Sequence, residues 1–470
     1  MTESRKRNDG IIKVIRAERF TPYALARKLK AKVILESSSF KKGRERYSLL
    51  LIREAFRVSQ KGGQIFLHAQ GESRDITGTQ RDILEVLLSF SEQHPPLHQD
   101  LPLPAGGIGY LSYEFASRCD TINLGQKTDP LGLPDSVFLF GHIFIVFDHY
   151  TDILYIIGLN YDGFEIDLEK AIDETEERIN DLDFNYLAKT TETYEAQVVE
   201  EKGEKTRFLE GVEKIREEII RGNLLQGVLS RRLLVRTELP ALEAYKNLRS
   251  SNPSPYLFYI DFGDYQLFGA SPEVQVKVKD GKAVLRPIAG TRRRGADAAE
   301  DGKLEEELRL DEKEVAEHLM LVDLARNDLG RFCLPGSVRV SEYLGVEYYS
   351  HVMHLVSQAE GDVAPGATGA DAIRATFPAG TVSGAPKIRA VETVDRLEPY
   401  TRGFYAGLVG YLGPGGDLDT CITIRSAVKK DGNMYLQAGA GIVYDSTPER
   451  ELEETEEKLR ALVRAVGVEV

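Results

Sequence analysis

Two pairs of carboxylates stand at helical spacing in this chain. Glu314 and Glu317 are three residues apart, and Glu451 and Glu454 repeat that spacing near the carboxy terminus. Residues at i and i+3 share one face of a helix, so each pair presents its acids in one direction. Four carboxylates converging from two helices would make a hard oxygen site suited to Mg2+ rather than to zinc. The plainer alternative is a solvated acidic face. Glu305-Glu306-Glu307 precede the first pair, and Glu453, Glu456 and Glu457 surround the second. Spacing alone favours that plainer alternative.

Other strings carry chemistry more selectively. Glu314-Val315-Ala316-Glu317-His318 is close to an inverted zinc-protease motif, but Glu occupies the place of the first His, so zinc proteolysis is excluded. Gly380-Thr381-Val382-Ser383-Gly384-Ala385-Pro386-Lys387 lacks the Walker spacing, and Pro386 removes a backbone donor where a phosphate nest needs one. A Gly-rich turn with two hydroxyls ahead of a helix still makes a seat for an anion or carboxylate. Arg425 lies in an apolar run, where strand alternation places it on the face of Cys421 and Thr423. It is either a surface residue or a bidentate carboxylate clamp, and surface is the default. Gly439-Ala440-Gly441 in the next run marks a close backbone approach, as to a ligand. His354, in Val352-Met353-His354-Leu355-Val356, is by itself more often a satisfied core histidine than an acid–base group. Together these residues suggest a Mg2+ site beside a pocket for a small anionic molecule.

The frame that must position them is an ordinary globular one. The 470 residues carry 60 basic and 74 acidic side chains, a net charge of −14, which argues against nucleic acid as the main partner. Met1 to Arg7 has no apolar stretch behind it, so no signal peptide is expected, and no run is long enough to span a membrane. Cys119, Cys333 and Cys421 stand far apart, as expected of a reduced cytoplasmic protein. There are 21 Tyr and 19 Phe but no Trp. The polar stretch Asp183 to Arg207 reads as a connector, dividing the chain into parts at 1–190 and 205–470.

Strands are expected at Lys32 to Leu35 and at Val137 to Phe147, the latter buried on both faces. Helices are expected at Phe208 to Arg221, ended by Gly222, and at Asp311 to Asn327, with Val315, Leu319, Val322 and Ala325 as the apolar stripe and Gly330 just beyond its end. Tyr405 to Leu412, Thr420 to Ala427 and Met434 to Tyr444 read as an antiparallel meander, its turns at Gly413 to Gly416 and Lys430 to Gly432. A last helix follows Thr447, with Pro448 in its first turn, Glu449 completing a capping box, and Leu452, Leu459, Leu462 and Val466 buried. Strands and helices are segregated, so the class is α+β, with packed antiparallel sheets flanked by helices.

Taken in order, the strings resemble the chorismate-utilising enzymes, and within them the anthranilate-forming branch. The similarity runs through PIAGTRRRG (287–295), DEKEVAEHLMLVDLARNDLGR (311–331), HVMHLVS (351–357), FPAGTVSGAPKIRAVE (377–392), GFYAGLVGYLG (403–413), TCITIRSA (420–427) and QAGAGIVYDSTPERELEET (437–455). The amino-terminal part adds ILESSS (34–39), GGIGYLSYE (106–114) and LGLPDSVFLF (131–140), and NPSPYLFYI (252–260) opens the second part.

The resemblance implies the following roles. Glu317 and Glu454 would hold Mg2+, with Glu314 and Glu451 beside them, and the ion would grip the ring carboxylate of chorismate. Gly290, Thr291 and Gly441 would bind that ring end. Tyr405, Arg425 and Gly439, with Ala440 between the glycines, would take the enolpyruvyl carboxylate. His354, near Thr381, would move protons around the departing hydroxyl. Relatives that attack through a lysine carry it where this chain has Ala289, and relatives that activate water carry one where this chain has Gln226. With neither amine, ammonia fits best as nucleophile. Arg293 replaces the usual Pro of that loop. No cysteine has a glutaminase setting, so ammonia is expected from a separate glutaminase subunit, in a heterotetramer of two large and two small subunits. The amino-terminal part would contact that partner and carry a feedback site for L-tryptophan, formed by Ser37, Pro255, Tyr256 and Leu257. The alternatives are an aminodeoxychorismate or aminodeoxyisochorismate synthase, and a non-catalytic tryptophan-sensing paralogue.

Overall fold

Near-continuous apolar character across Val137 to Phe147 requires a strand covered on both faces, and the strand Ser136–Asp148 is buried at every residue. It belongs to a computed structural model that describes residues 10–39, 43–44, 46–96, 101–181, 194–199, 201–349 and 352–468. The polar amino terminus and residues 183–193 and 200 of the expected connector lie outside the described residues, and the rest of that stretch holds the strand Ala196–Val199 and the start of the helix Glu204–Ile220. Strand Tyr47–Lys61 pairs along the length of Ser136–Asp148, bulging where the two bend. On its other side, Ser136–Asp148 pairs first with Ile108–Leu111 and then with Ile153–Gly158. Both layers of the molecule diverge from this strand.

One layer continues from Tyr47–Lys61 through Val33–Glu36, Tyr256–Asp261, Gln266–Ser271, Ser426–Lys430, Asn433–Ile442 and Gln226–Thr237. The other runs from Ile108–Leu111 through Leu408–Leu412, Leu418–Ile422, Val274–Lys279, Lys282–Leu285 and Val352–Asp362, which also pairs with Ile288–Arg293 and Arg339–Tyr348. All these ladders are antiparallel, and the helices lie outside them, as the α+β reading expects. Phe56, Phe138, Phe140, Leu267, Val276 and Ile422 fill the space between the layers. Strands from both parts of the chain share the same ladders, for example Leu35 opposite Phe258.

Several expectations need correction. The run Thr420 to Ala427 is not one strand. It breaks at Arg425, whose φ of 50° is left-handed, and Leu418–Ile422 and Ser426–Lys430 belong to different layers. The alternation argument for Arg425 therefore fails, because the side chain leaves from a sheet-switching corner. The strand expected from Tyr405 starts only at Leu408, after a tight turn with Ala406 at φ 61°. In the helix Glu312–Gly330, Gly330 is the last residue rather than the one beyond. Its buried face carries His318, Leu321, Val322, Ala325 and Leu329, whereas Leu319 is 38% exposed. The helix Pro448–Ala465 has Thr447 at its cap but makes no side-chain capping bond, so the capping box is absent. No helix among the described residues is long and apolar enough to cross a membrane.

Candidate active site

The acidic helix Glu312–Gly330 starts where Asp311 accepts the backbone N–H groups of Lys313 and Glu314. It is pinned to the sheet by His318, fully buried, whose Nε2 lies 2.7 Å from Ser357 Oγ on the strand Val352–Asp362. Three residues earlier on that strand stands His354, opposite Thr291. Between Ala289 and Thr291 the register slips, and Gly290 takes a φ of 71°. A Cβ at Gly290 would sit 3.3 Å from Glu314 Oε2 and 3.1 Å from Leu355, so only glycine lets the bulge approach the acidic helix.

The four glutamates act on one another. Burial raises the Glu317 carboxyl, and the negative fields of Glu314, Glu451 and Glu454 raise it further. Burial and Glu454 likewise raise Glu451, whose Oε2 is buried without a partner. Cations already hold the outer two. Arg292 bonds Glu314 at 3.1 Å and Asp311 at 2.5 Å, and Lys458 bonds Glu454 at 2.5 Å and the Gly439 carbonyl at 2.9 Å. Among the described residues no three His, Cys, Asp or Glu side chains form a closed metal cage. The donor set nonetheless fits a hard divalent cation, because the unpartnered Glu451 oxygen and the mutual repulsion at Glu317 are relieved by positive charge.

Across from these acids lies the cationic end. Arg425 makes no side-chain hydrogen bond or ion pair among the described residues; burial lowers its basicity, and Tyr405, Glu454 and Glu273 support its charge. Tyr405 is buried, and burial raises its phenol to about 12 although the Gly439 N–H donates to it. Gly439 and Gly441 admit these neighbours. A Cβ at Gly439 would meet Tyr405 Oη at 2.9 Å, and one at Gly441 would meet Gln226 Nε2 at 2.6 Å. The Gln226 Oε1 atom is buried and unpartnered, while Ala440, pairing with Leu229, points into a separate apolar cluster.

His354 is half-buried, and desolvation lowers it to about 4, so it is neutral at physiological pH. Its Nδ1 lies 3.1 Å from both the Gly290 carbonyl and the Thr291 hydroxyl, so with Nδ1–H donating to the carbonyl, Nε2 is left as the acceptor. Thr381 lies on the short helical turn Gly380–Ser383, and its hydroxyl faces Glu273; no bond joins it to His354 among the described residues. Glu273 went unread in the sequence. It is 8% exposed, and burial raises it to about 7. Both Glu273 and His354 feel the charges of Arg425 and Lys458. Glu273 and Thr381 line an open cleft together with Gln275, Asp328 and Thr376. Lys458 was legible in principle, standing four residues beyond Glu454 on one helix face; Glu273 follows a Ser-Pro pair with no periodic signal.

The expected tryptophan residues lie elsewhere, beside the strand Val33–Glu36. Leu257 pairs with Glu36, a register that carries Ser37 toward Tyr256 and Pro255. Glu36 is held by Arg249 at 2.6 and 2.8 Å and by Tyr245 at 2.7 Å, while Tyr256 donates to Asp419 at 2.9 Å. The three cysteines are buried and free, and Cys421 lies within the field of Tyr256.

The chain belongs to the family of chorismate binding enzymes, whose model matches residues 35–464. It is 60% identical over 464 residues to anthranilate synthase component 1 of Spirochaeta aurantia, covering 98% of this chain and 96% of that one. It is 42% identical to anthranilate synthase component 1 of Thermus thermophilus, over 94% of this chain and 93% of that one. Among solved structures, anthranilate synthase component I from Streptococcus pneumoniae TIGR4 superposes with a TM-score of 0.80 at 37% identity, covering 89% of this chain and 92% of that one. A menaquinone-specific isochorismate synthase from Escherichia coli shares the fold, with a TM-score of 0.72 at 20% identity, over 99% of this chain and 96% of that one.

Proposed function

We propose that this chain is the large subunit of an anthranilate synthase, converting chorismate and ammonia to anthranilate, pyruvate and water. The observation that carries the reading is the buried Arg425 guanidinium, which has no side-chain hydrogen bond or ion pair among the described residues and lies in the field of Glu454, one of the mutually acting glutamates. A substrate with two carboxylates needs a cation at each end, one supplied by arginine and the other by an ion on the acids. Glu317 and Glu454, with Glu314 and Glu451 beside them, would hold Mg2+. When bound, that ion screens the acids and polarises the ring carboxylate, which makes the ring an acceptor for ammonia.

The remaining work falls to side chains. Arg425 and Tyr405 orient the enolpyruvyl carboxylate, with Gly439 and Gly441 admitting it and Gly290 and Thr291 framing the ring end. Glu273, holding its proton up to about pH 7, donates to the departing hydroxyl so that it leaves as water. Neutral His354 accepts the ring proton through Nε2 as pyruvate leaves. Ala289 and Gln226 offer no competing amine, which favours ammonia over a lysine adduct or activated water. Ammonia comes from a glutaminase partner, in an assembly of two large and two small subunits in the cytoplasm. L-tryptophan binds at Ser37, Pro255, Tyr256 and Leu257 and inhibits.

The test is the purified chain with chorismate, Mg2+ and ammonium, read by anthranilate fluorescence and by pyruvate release. Anthranilate formation supports the reading; an amino-dienol product without pyruvate would move it to an aminodeoxychorismate or aminodeoxyisochorismate synthase. No turnover at all would sink it.

A further inference from the structure

Arg402 is 2% exposed and is the largest fully buried side chain among the described residues. Its Nε and Nη2 donate to the two oxygens of Glu398, each at 2.8 Å. Nη1 donates to the Val382 carbonyl at 2.7 Å and Nη2 to the Val228 carbonyl at 2.6 Å. The guanidinium lies 4.3 Å from the centre of the Tyr113 ring.

Two of these contacts border groups of the substrate pocket. Val382 follows Thr381 in the turn Gly380–Ser383, and Val228 lies two residues along the strand from Gln226. Tyr405 is three residues further along the same tight loop, its ring 5.7 Å from the guanidinium. The loop is anchored from behind, where Glu114 accepts the Arg402 N–H at 2.7 Å and the Gly403 N–H at 3.0 Å. We propose that Arg402 is a positioning residue, whose planar fork fixes Tyr405, the Thr381 turn and the Gln226 strand in one geometry; this rests on the substrate pocket assigned above.

A buried Arg–Glu pair is a poor source of stability, since a neutral pair of similar volume folds as well or better. What the guanidinium adds is a rigid set of donors at fixed angles, which lysine lacks. The test therefore uses the full chain as Arg402→Lys and as the uncharged pair Arg402→Met with Glu398→Gln. Melting, calorimetric chorismate affinity with Mg2+, and the KM values for chorismate and ammonium are compared with wild type. The expected result is a folded double variant whose chorismate Kd and KM rise about tenfold or more while the ammonium KM is unchanged. A folded variant with wild-type chorismate Kd and only a lower maximal rate would overturn the proposal. So would failure of both variants to fold, which would make Arg402 structural. Wild-type protein that binds chorismate without turnover defeats the activity reading and leaves Arg402 to the affinity measurement. Wild type that binds no chorismate defeats both.

Discussion

Gly439→Ala is the sharpest test of how the backbone shapes the pocket. The added Cβ would lie 2.8 Å from the Leu229 carbonyl, 2.9 Å from Tyr405 Oη and 3.2 Å from Ser230 Cβ. The carbonyl cannot retreat, because Leu229 and Ser230 are locked in register against Ala440 and Gly439. Overpacking of this kind costs about 1–3 kcal/mol, so melting falls by a few degrees. The phenol is the softest of the three neighbours and gives way. Its displacement removes a hydrogen bond to a charged carboxylate worth about 1.5–3 kcal/mol, or roughly a ten- to hundredfold rise in chorismate KM. Gly441→Ala is the paired substitution. Its Cβ meets only the far end of the Gln226 side chain, within 2.6 Å, and that end can swing aside. Calorimetry and steady-state kinetics on both variants decide the matter. A Gly439→Ala protein with unchanged melting and unchanged chorismate KM would refute the close approach of strand to Tyr405.

Two further outcomes follow from the charges, and a third from the composition. Glu273 is held up to about 7 against an ordinary 4.5, so the folded chain binds more protons than the unfolded one between those values and loses stability as pH rises through them. Glu273→Gln should therefore raise the melting temperature at pH 8 while cutting turnover by about 10²–10⁴ and flattening the alkaline limb of the rate profile; a variant as active as wild type at pH 8 removes Glu273 from the chemistry. Mg2+ should raise the melting temperature of the wild type, and that shift should vanish in Glu317→Gln and Glu451→Gln; an equal shift in the variants would place the ion elsewhere. The chain has no Trp, so indole emission polarisation of added L-tryptophan reports binding directly. It should rise with wild type and not with Ser37→Phe, and equal polarisation with both would dismiss the site.

Ser136–Asp148 was legible because an unbroken apolar run admits few arrangements, and the two acidic pairs because helical spacing survives in any packing. Leu319 misled because its helix packs mainly at one end and on one side, where His318 rather than a hydrophobe takes the central buried position. Arg425 misled for a different reason. Alternation assumes one continuous strand, and the left-handed turn that carries the chain between layers has no mark in the residue types. Glu273 and Arg402 owe their importance to partners far along the chain, Thr381 in one instance and Val228 in the other, and no local pattern encodes such meetings.

Leu35 waits for Phe258, and Ile108–Leu111 waits for Leu408–Leu412. During synthesis, the amino-terminal strands therefore emerge with open edges whose final partners are not yet made. Such edges invite pairing with other chains, and distant closure slows folding. The chain's exposure to aggregation should thus be greatest while the ribosome is still working through its second half, and a chaperone that shields sheet edges would raise its yield more than one acting on the finished protein.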